Sequence, residues 1–164
     1  ISGLLNTQAG GSSVRPPLPK EVTSTLLNKQ WEVTADEAAH RRRSIYIFVR
    51  RNLRYPIFDV FDRPDSNMSC SRRGRSTTAP QSLMLLNSEF SLATATALAD
   101  RLRDAETEDA QRIGLAYEII FSRPPHDPEA ALGLEFLRAN GGDTAALSRY
   151  CLALLNTSEA IYID

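Results

Sequence analysis

The strongest candidates for chemistry are carboxylates and guanidinium groups crowded between residues 59 and 73. Asp59 and Asp62 are three residues apart, so a short helix would place both carboxylates on one face. Paired carboxylates can perform acid–base chemistry when burial separates their pKa values. Neighbouring arginines lower carboxylate pKa values and disfavour a general acid. We therefore predict no catalytic residue, and instead a binding group made up of Asp62, Asp65, Arg63, Arg72, Arg73, Arg42 and Arg43.

A calcium loop is the second chemistry that this region suggests. Residues 65–69 read Asp-Ser-Asn-Met-Ser, with oxygen-bearing side chains at alternate positions, as a calcium loop has. The sixth position is Cys70 where such a loop needs glycine, and the twelfth is Ser76 where it needs a bidentate glutamate. An EF-hand site is therefore excluded and we predict no metal site. A looser calcium site using Asp62 or Asp65 stays open.

Arginine dominates the middle of the chain. Between Arg41 and Arg75 there are ten Arg against three Asp, a balance of +7, whereas after Arg75 six Arg face thirteen Asp plus Glu, a balance of −7. An acidic C-terminal half argues against nucleic acid as the partner of the basic middle. Two interpretations stay open: an internal arginine–carboxylate network, or a surface that binds an acidic neighbouring domain or an anionic glycan.

The two cysteines, Cys70 and Cys151, are too few for a disulfide scaffold and fit no metal spacing. No Cys-x-x-Cys-His motif occurs, so this chain attaches no c-type haem. We favour a buried structural thiol at Cys70, and a Cys70–Cys151 disulfide stays open as the alternative.

The segment from Ile45 to Leu53 must position many of the arginines. Its apolar residues Ile45, Phe48, Val49 and Leu53 are spaced i, i+3, i+4 and i+8, which predicts a helix. A strand through Ile45–Val49 is the alternative, but no alternation of polar and apolar residues favours it. Pro56 then suits the first turn of a short helix.

Local signals predict further helices through the C-terminal half. Thr78 and Gln81 form a capping-box pair, and Ser88 can cap a helix that buries Phe90, Ala93, Ala97, Leu98 and Leu102. Leu-Leu-Asn occurs at 4–6, 85–87 and 154–156, which we interpret as a helix ending with Asn in the left-handed conformation. Further predicted boundaries are a start at Thr107 to Asp109, a start at Asp127-Pro128, an end at Asn140-Gly141-Gly142, and a final helix from Thr144 to Leu155.

We therefore predict an all-α fold of about six helices in an irregular orthogonal bundle. Residues 1–33, rich in Gly and Pro, form an irregular arm or linker that packs on a helical domain of residues 34–164. Trp31 is expected to anchor that arm. The opening Ile1-Ser2-Gly3 resembles the interior of a longer protein, and no apolar run reaches the ~18 residues of a membrane span.

Several separate blocks, in order along the chain, carry a family resemblance. They are Arg42-Arg43-Ser44-Ile45-Tyr46, Phe61-Asp62-Arg63-Pro64-Asp65, Ser69-Cys70 with Arg72-Arg73, Thr78-Ala79-Pro80-Gln81-Ser82-Leu83, Phe121-Ser122-Arg123-Pro124-Pro125 and Leu154-Leu155-Asn156-Thr157-Ser158-Glu159. Together they resemble the planctomycete C-terminal domain of unknown function, family 1553.

The resemblance implies a domain near the C-terminus of a large exported protein, in the periplasm or cell envelope. It implies that a haem c module sits elsewhere in that parent, while this segment holds no cofactor. It transfers no activity. We therefore expect a non-catalytic helical module whose arginine-rich face docks a neighbouring domain or an acidic partner. The alternative is an accessory part of an active site, or a binding cleft for an anionic carbohydrate.

Overall fold

A computed structural model describes residues 1–24, 26–27, 30–50, 53, 55–61, 63 and 79–161. The chain forms two compact units. The C-terminal unit comprises Ile1–Gly3 and Ser82–Asp164, and the N-terminal unit comprises Leu4–Gln81.

The described residues form an all-α fold, as predicted. Outside the helices, the described residues form β-type pairs only at isolated bridges, which join Asn6 with Arg42, Val14 with Ile47, and Arg50 with Leu53. Two short 3-10 helices span Glu37–Arg41 and Ser44–Tyr46. The α-helices are α1 (Lys20–Thr23), α2 (Pro56–Val60), α3 (Ala79–Asn87), α4 (Glu89–Ala105), α5 (Asp109–Phe121), α6 (Asp127–Ala139), α7 (Thr144–Leu155) and α8 (Ser158–Ile161).

Helices α4 to α7 enclose the core of the C-terminal unit. Each is amphipathic and too short to be stable alone, so burying one apolar face supplies most of its stability. The fully buried side chains include Leu98 and Leu102 of α4, Ile113 of α5, Leu137 of α6 and Cys151 of α7. The core is therefore built mainly where α4 packs against α7, which is distant from it in sequence, with α5 and α6 packed alongside.

The predicted helix ends of this unit are confirmed where local side chains decide them. The Ser88 hydroxyl accepts a hydrogen bond from the Ser91 N–H at the start of α4. Helix α6 ends with Gly141 and Gly142 at positive φ, and the Gly142 N–H donates to the Leu137 carbonyl at 2.8 Å. The final helix spans Thr144–Leu155, as its pattern predicts.

The predicted inner face of α4 is partly wrong. Leu98 and Leu102 are buried, but Phe90 is 58% exposed, and small residues take the inner positions Ser91, Ala95 and Ala99. Small side chains at i, i+4 and i+8 let a neighbouring helix approach closely, a preference that hydrophobicity alone does not reveal.

The left-handed conformation predicted for asparagine is also wrong. Asn156 has φ −96°, and Asn6 lies in an irregular segment bridged to Arg42. The side-chain amides of Asn87 and Asn156 instead donate to carbonyls four residues earlier, those of Leu83 and Leu152. The amide group thus adds a hydrogen bond to a carbonyl in the last turn of each helix without an unusual backbone angle.

The helix predicted from Ile45 to Leu53 is wrong as well. The chain makes one 3-10 turn at Ser44–Tyr46 and becomes extended at Ile47, with φ −71° and ψ 132°. The Val14 N–H donates to the Tyr46 carbonyl and the Phe48 N–H donates to the Val14 carbonyl, both at 2.8 Å. Pairing with a distant segment therefore replaces the hydrogen bonds of a helix.

Trp31 anchors the N-terminal segment, as expected. Its indole N–H donates to the Pro16 carbonyl at 2.8 Å. Its ring centroid lies 6.1 Å from that of Phe48 and 6.4 Å from that of Tyr55. Aromatic contacts of this kind stabilise the packing of an irregular segment that lacks a regular hydrogen-bond ladder.

Candidate functional site

Of the arginines that the structure describes in the N-terminal unit, Arg42 is the best organised. Its side chain is buried, with 9% of the residue exposed. The guanidinium donates to the carbonyls of Gln8 at 3.3 Å, of Ser12 at 3.1 Å, and of Gly10. Its other contact is the ring of Tyr46, whose centroid lies 3.8 Å from Cζ. The charge is thus compensated by three carbonyl dipoles and an aromatic face.

The loop around Arg42 depends on glycine. Gly10 has φ +74°, a conformation that other residues adopt at a cost, and its carbonyl faces the guanidinium. The Gly10 N–H donates to the Tyr46 hydroxyl at 3.0 Å. One loop therefore binds both the charge of Arg42 and the hydroxyl of the tyrosine beneath it.

Three of the seven predicted binding residues, Arg42, Arg43 and Arg63, lie within the described residues. Arg42 is buried in its carbonyl loop, while Arg43 and Arg63 are exposed. The Arg63 guanidinium lies over the ring of Phe58, 5.2 Å from its centroid. The other predicted members, Asp62, Asp65, Arg72 and Arg73, lie outside the described residues, as do Thr78 and Cys70. The binding group stays a prediction.

An open groove of about 400 Å³ lies on the N-terminal unit. Its apolar lining comes from every second residue of the 45–49 segment and from α2 and the residue after it. Ile45 is 84% exposed and Val49 44% exposed. The lining residues are Ser44, Ile45, Ile47, Val49, Phe58, Phe61 and Arg63.

The intervening residues of the 45–49 segment face a different set of partners. Tyr46 stacks on Arg42, and the Arg15 guanidinium carbon lies over the ring of Phe48, 4.1 Å from the ring centroid. The segment therefore has two apolar faces, which explains why its sequence shows no alternation of polar and apolar residues. One face packs inside the N-terminal unit, and the other lines the groove.

A second charged cluster, centred on Arg123, lies in the C-terminal unit. The guanidinium donates to both oxygens of Glu129 at 2.9 Å and to both oxygens of Glu159 at 2.7 and 2.9 Å. The rings of Tyr117 and Phe121 flank it at 5.4 and 5.5 Å. Arg123 thereby ties α6 and α8 to the turn after α5. The sequence alone suggested no role for these residues. The spacing of Arg123 and Glu129 across Pro124-Pro125 is the sequence feature that could have indicated their ion pair.

The Arg123 cluster shifts the titration of both glutamates. Hydrogen bonds from Arg123, together with one from the His126 backbone N–H, lower the pKa of Glu129 from 4.5 to about 2. Hydrogen bonds from Arg123 also lower the pKa of Glu159. A carboxylate with a lowered pKa stays ionised near neutral pH. It therefore suits an ion pair and not a general acid.

We expect these pKa shifts to make the C-terminal unit sensitive to acid. Because the folded-state pKa of Glu129 is depressed, its stabilisation is fully present above pH ~4.5 and is lost as pH falls toward 2. Urea unfolding followed by circular dichroism between pH 6 and 2 should show stability falling across this window. The Glu129→Gln variant should show a shallower fall, and Glu135→Gln, an exposed residue of the same helix, should keep the parental slope. Equal slopes for the two variants would contradict the assignment.

Cys151 is a free thiol at the centre of the C-terminal core, with no exposed surface. Burial raises its pKa to about 12. It is therefore not a nucleophile in the folded state. The thiol is unpaired, so the disulfide alternative is not observed at Cys151; Cys70 lies outside the described residues.

We expect Cys151 to be protected from thiol reagents until the protein unfolds. In a Cys70→Ser background, labelling by iodoacetamide should be at least about a hundredfold slower in buffer than in 6 M guanidinium chloride, since the reaction needs an exposed thiolate. Rapid labelling of the folded protein would contradict the burial of this thiol.

Among the residues that the structure describes, no group of three or more His, Cys, Asp or Glu side chains is placed to hold a metal ion. No helix in the described ranges is long and apolar enough to cross a membrane.

The fold and these clusters define an all-α protein whose best-organised arginines bind the protein's own groups. Residues 1–137 match the family "PSD1: Protein of unknown function (DUF1553)", so the chain belongs to that family. The resemblance of the sequence blocks is confirmed, although the block at 154–159 lies beyond the matched residues. No curated protein and no solved structure matches the chain.

Proposed function

We propose that this chain is a non-catalytic structural and interaction module of a larger exported protein. In this proposal, arginines exposed on the N-terminal unit dock a neighbouring domain of the same polypeptide, or another acidic partner, in the periplasm or cell envelope. Any c-type haem of the parent would be bound by other modules, because this chain has no Cys-x-x-Cys-His motif.

The coordination of Arg42 is the observation that carries the structural part of the proposal. A buried guanidinium that donates to three backbone carbonyls and stacks on Tyr46 organises the irregular segment around it. A guanidinium used in this way has few donors left for an anionic ligand. The Arg123 cluster has the same character in the C-terminal unit, where two glutamates saturate the arginine.

The docking part of the proposal rests on two exposed arginines: Arg63, which lies over the Phe58 ring in the apolar groove, and Arg43, which immediately precedes the lining residue Ser44. Exposed arginine beside apolar surface is enriched where proteins bind one another, since the planar group both stacks and pairs with carboxylates. An isolated solvated charge would not need apolar neighbours. We therefore expect the partner surface to be acidic and polypeptide in nature.

Charge reversal tests this proposal. In the complete gene product, or with its partner domain supplied separately, an Arg43→Glu, Arg63→Glu double variant should weaken the association at least tenfold in an equilibrium binding measurement. An Arg138→Glu, Arg149→Glu variant, which changes two exposed arginines of the C-terminal unit, serves as the control. Unchanged association would contradict docking through this face. So would thermal stabilisation of the chain by a sulfated oligosaccharide that an Arg72→Ala, Arg73→Ala variant abolishes, because that result favours the carbohydrate cleft.

A further inference from the structure

The groove on the N-terminal unit exposes apolar surface that its sequence pattern does not explain. A continuous apolar run in an extended segment is typical where both faces are covered. Among the residues that the structure describes, the partners of the 45–49 segment cover the face of Tyr46 and Phe48. Ile45 at 84% and Val49 at 44% exposure belong to the other face.

The charge in the described lining of the groove is positive. Arg63 is the one charged residue among the described residues that line it, and Arg43 immediately precedes the lining residue Ser44. Asp59 of α2 is exposed but does not contribute to the lining. A ligand seated on Ile45, Ile47 and Val49 would therefore meet guanidinium groups and apolar side chains together.

We infer that this groove binds a polypeptide segment whose apolar side chains are flanked by Asp or Glu. The inference rests on the proposed function and makes it specific, naming the surface and the chemistry of the segment that it receives. Apolar anchors would cover Ile45 and Val49, and the flanking carboxylates would pair with Arg63 and Arg43. The volume of about 400 Å³ lies at the lower end of the ~300–1,000 Å³ of ligand sites, which suits a few side chains and not a folded surface.

The lining chemistry favours a polypeptide over a glycan. An anionic glycan needs several charged and hydroxyl-binding groups, whereas this lining offers one guanidinium and one serine hydroxyl among five apolar residues. Burying Ile45, Ile47, Val49, Phe58 and Phe61 needs an apolar counterpart, which a segment bearing Leu, Ile or Phe provides.

Site-specific photo-crosslinking in the complete gene product, in its native cell, tests the inference. Benzoylphenylalanine would replace Ile45, and the matched control would replace Leu132, a 67% exposed leucine of α6 in the C-terminal unit. Crosslinks from position 45, absent from position 132, should map by mass spectrometry to one peptide segment containing apolar residues and at least two Asp or Glu. With that segment as a labelled peptide, Arg63→Glu and Ile45→Ser should each weaken binding tenfold or more, and raising salt from 50 to 500 mM should weaken it further.

Several results would overturn the inference. They are no crosslink above the Leu132 control, a crosslink to a basic segment, a crosslink to a second copy of this chain, and a segment whose affinity is unchanged by Ile45→Ser. The Arg43→Glu, Arg63→Glu variant separates the two levels of the proposal. Association weakened by that variant, with no crosslink from position 45, would overturn the groove alone, whereas association unchanged by it would overturn the docking function itself.

Discussion

Replacing Arg42 with alanine should destabilise the N-terminal unit by about 2–4 kcal/mol. The substitution removes four hydrogen bonds from a charged donor and leaves the carbonyls of Gln8, Gly10 and Ser12 without that partner. It also removes the cation that lies over Tyr46. Urea unfolding followed by Trp31 fluorescence measures the loss in the relevant unit, since Trp31 is the chain's only tryptophan and packs on Phe48 and Tyr55.

Two further variants at this site make the result specific. Arg43→Ala removes the neighbouring exposed arginine and should change stability by less than about 0.5 kcal/mol. Arg42→Lys keeps the charge but lacks the planar fork, so it should recover only part of the loss. Similar stability of Arg42→Ala and Arg43→Ala would show that the carbonyl loop contributes little.

Replacing Gly133 with alanine should destabilise the C-terminal unit by about 1–3 kcal/mol, although alanine favours a helix interior. A Cβ at this position would lie 2.5 Å from the Tyr150 hydroxyl and 3.0 Å from Ile113 Cδ1. Both neighbours are core residues, so relieving the overlap means moving α5 or α7 away from α6. Gly114 is the matched control, because a Cβ there meets nothing within 4 Å. Gly114→Ala should stabilise by up to about 1 kcal/mol.

The Tyr150 hydroxyl offers a rescue for the Gly133 variant. It is buried, and no described group meets hydrogen-bond geometry with it; burial first, and then the neighbouring Tyr117, raise the pKa of Tyr150. Tyr150→Phe alone should therefore be near neutral, because it removes an unsatisfied group. Combined with Gly133→Ala it should restore part of the lost stability, since the closest contact disappears. Denaturation followed by circular dichroism measures all four proteins. A Gly133→Ala variant as stable as Gly114→Ala would contradict the packing described for α6.

The ends of the helices could be predicted from sequence because they depend on neighbouring residues. Ser88 and Gly142 act through groups within a few residues, so their roles are visible in a short stretch of sequence. The inner face of α4 was harder to predict from sequence, because burial of Ser91 and Ala95 depends on how closely a partner helix approaches.

The 45–49 segment could not be predicted because its partners are distant in sequence. Val14, which pairs with Tyr46 and Phe48, lies more than 30 residues away, and the two apolar faces imitate the spacing of a helix. Arg42 and Arg43 are indistinguishable in sequence, yet only Arg42 meets the carbonyl loop. The Arg123 cluster likewise joins residues 36 positions apart, which no local pattern specifies.

Hydrogen–deuterium exchange of the isolated chain and of the complete gene product in its native assembly tests the central claim most directly. If Arg42 and Tyr46 organise the fold while the adjacent groove docks a polypeptide, the amides of Gly10 and Val14, which donate to Tyr46, should be protected equally in both samples, and residues 44–49 should gain protection only in the assembly. Equal exchange of residues 44–49 in the two samples, or free exchange of the Gly10 and Val14 amides in the isolated chain, would contradict the account.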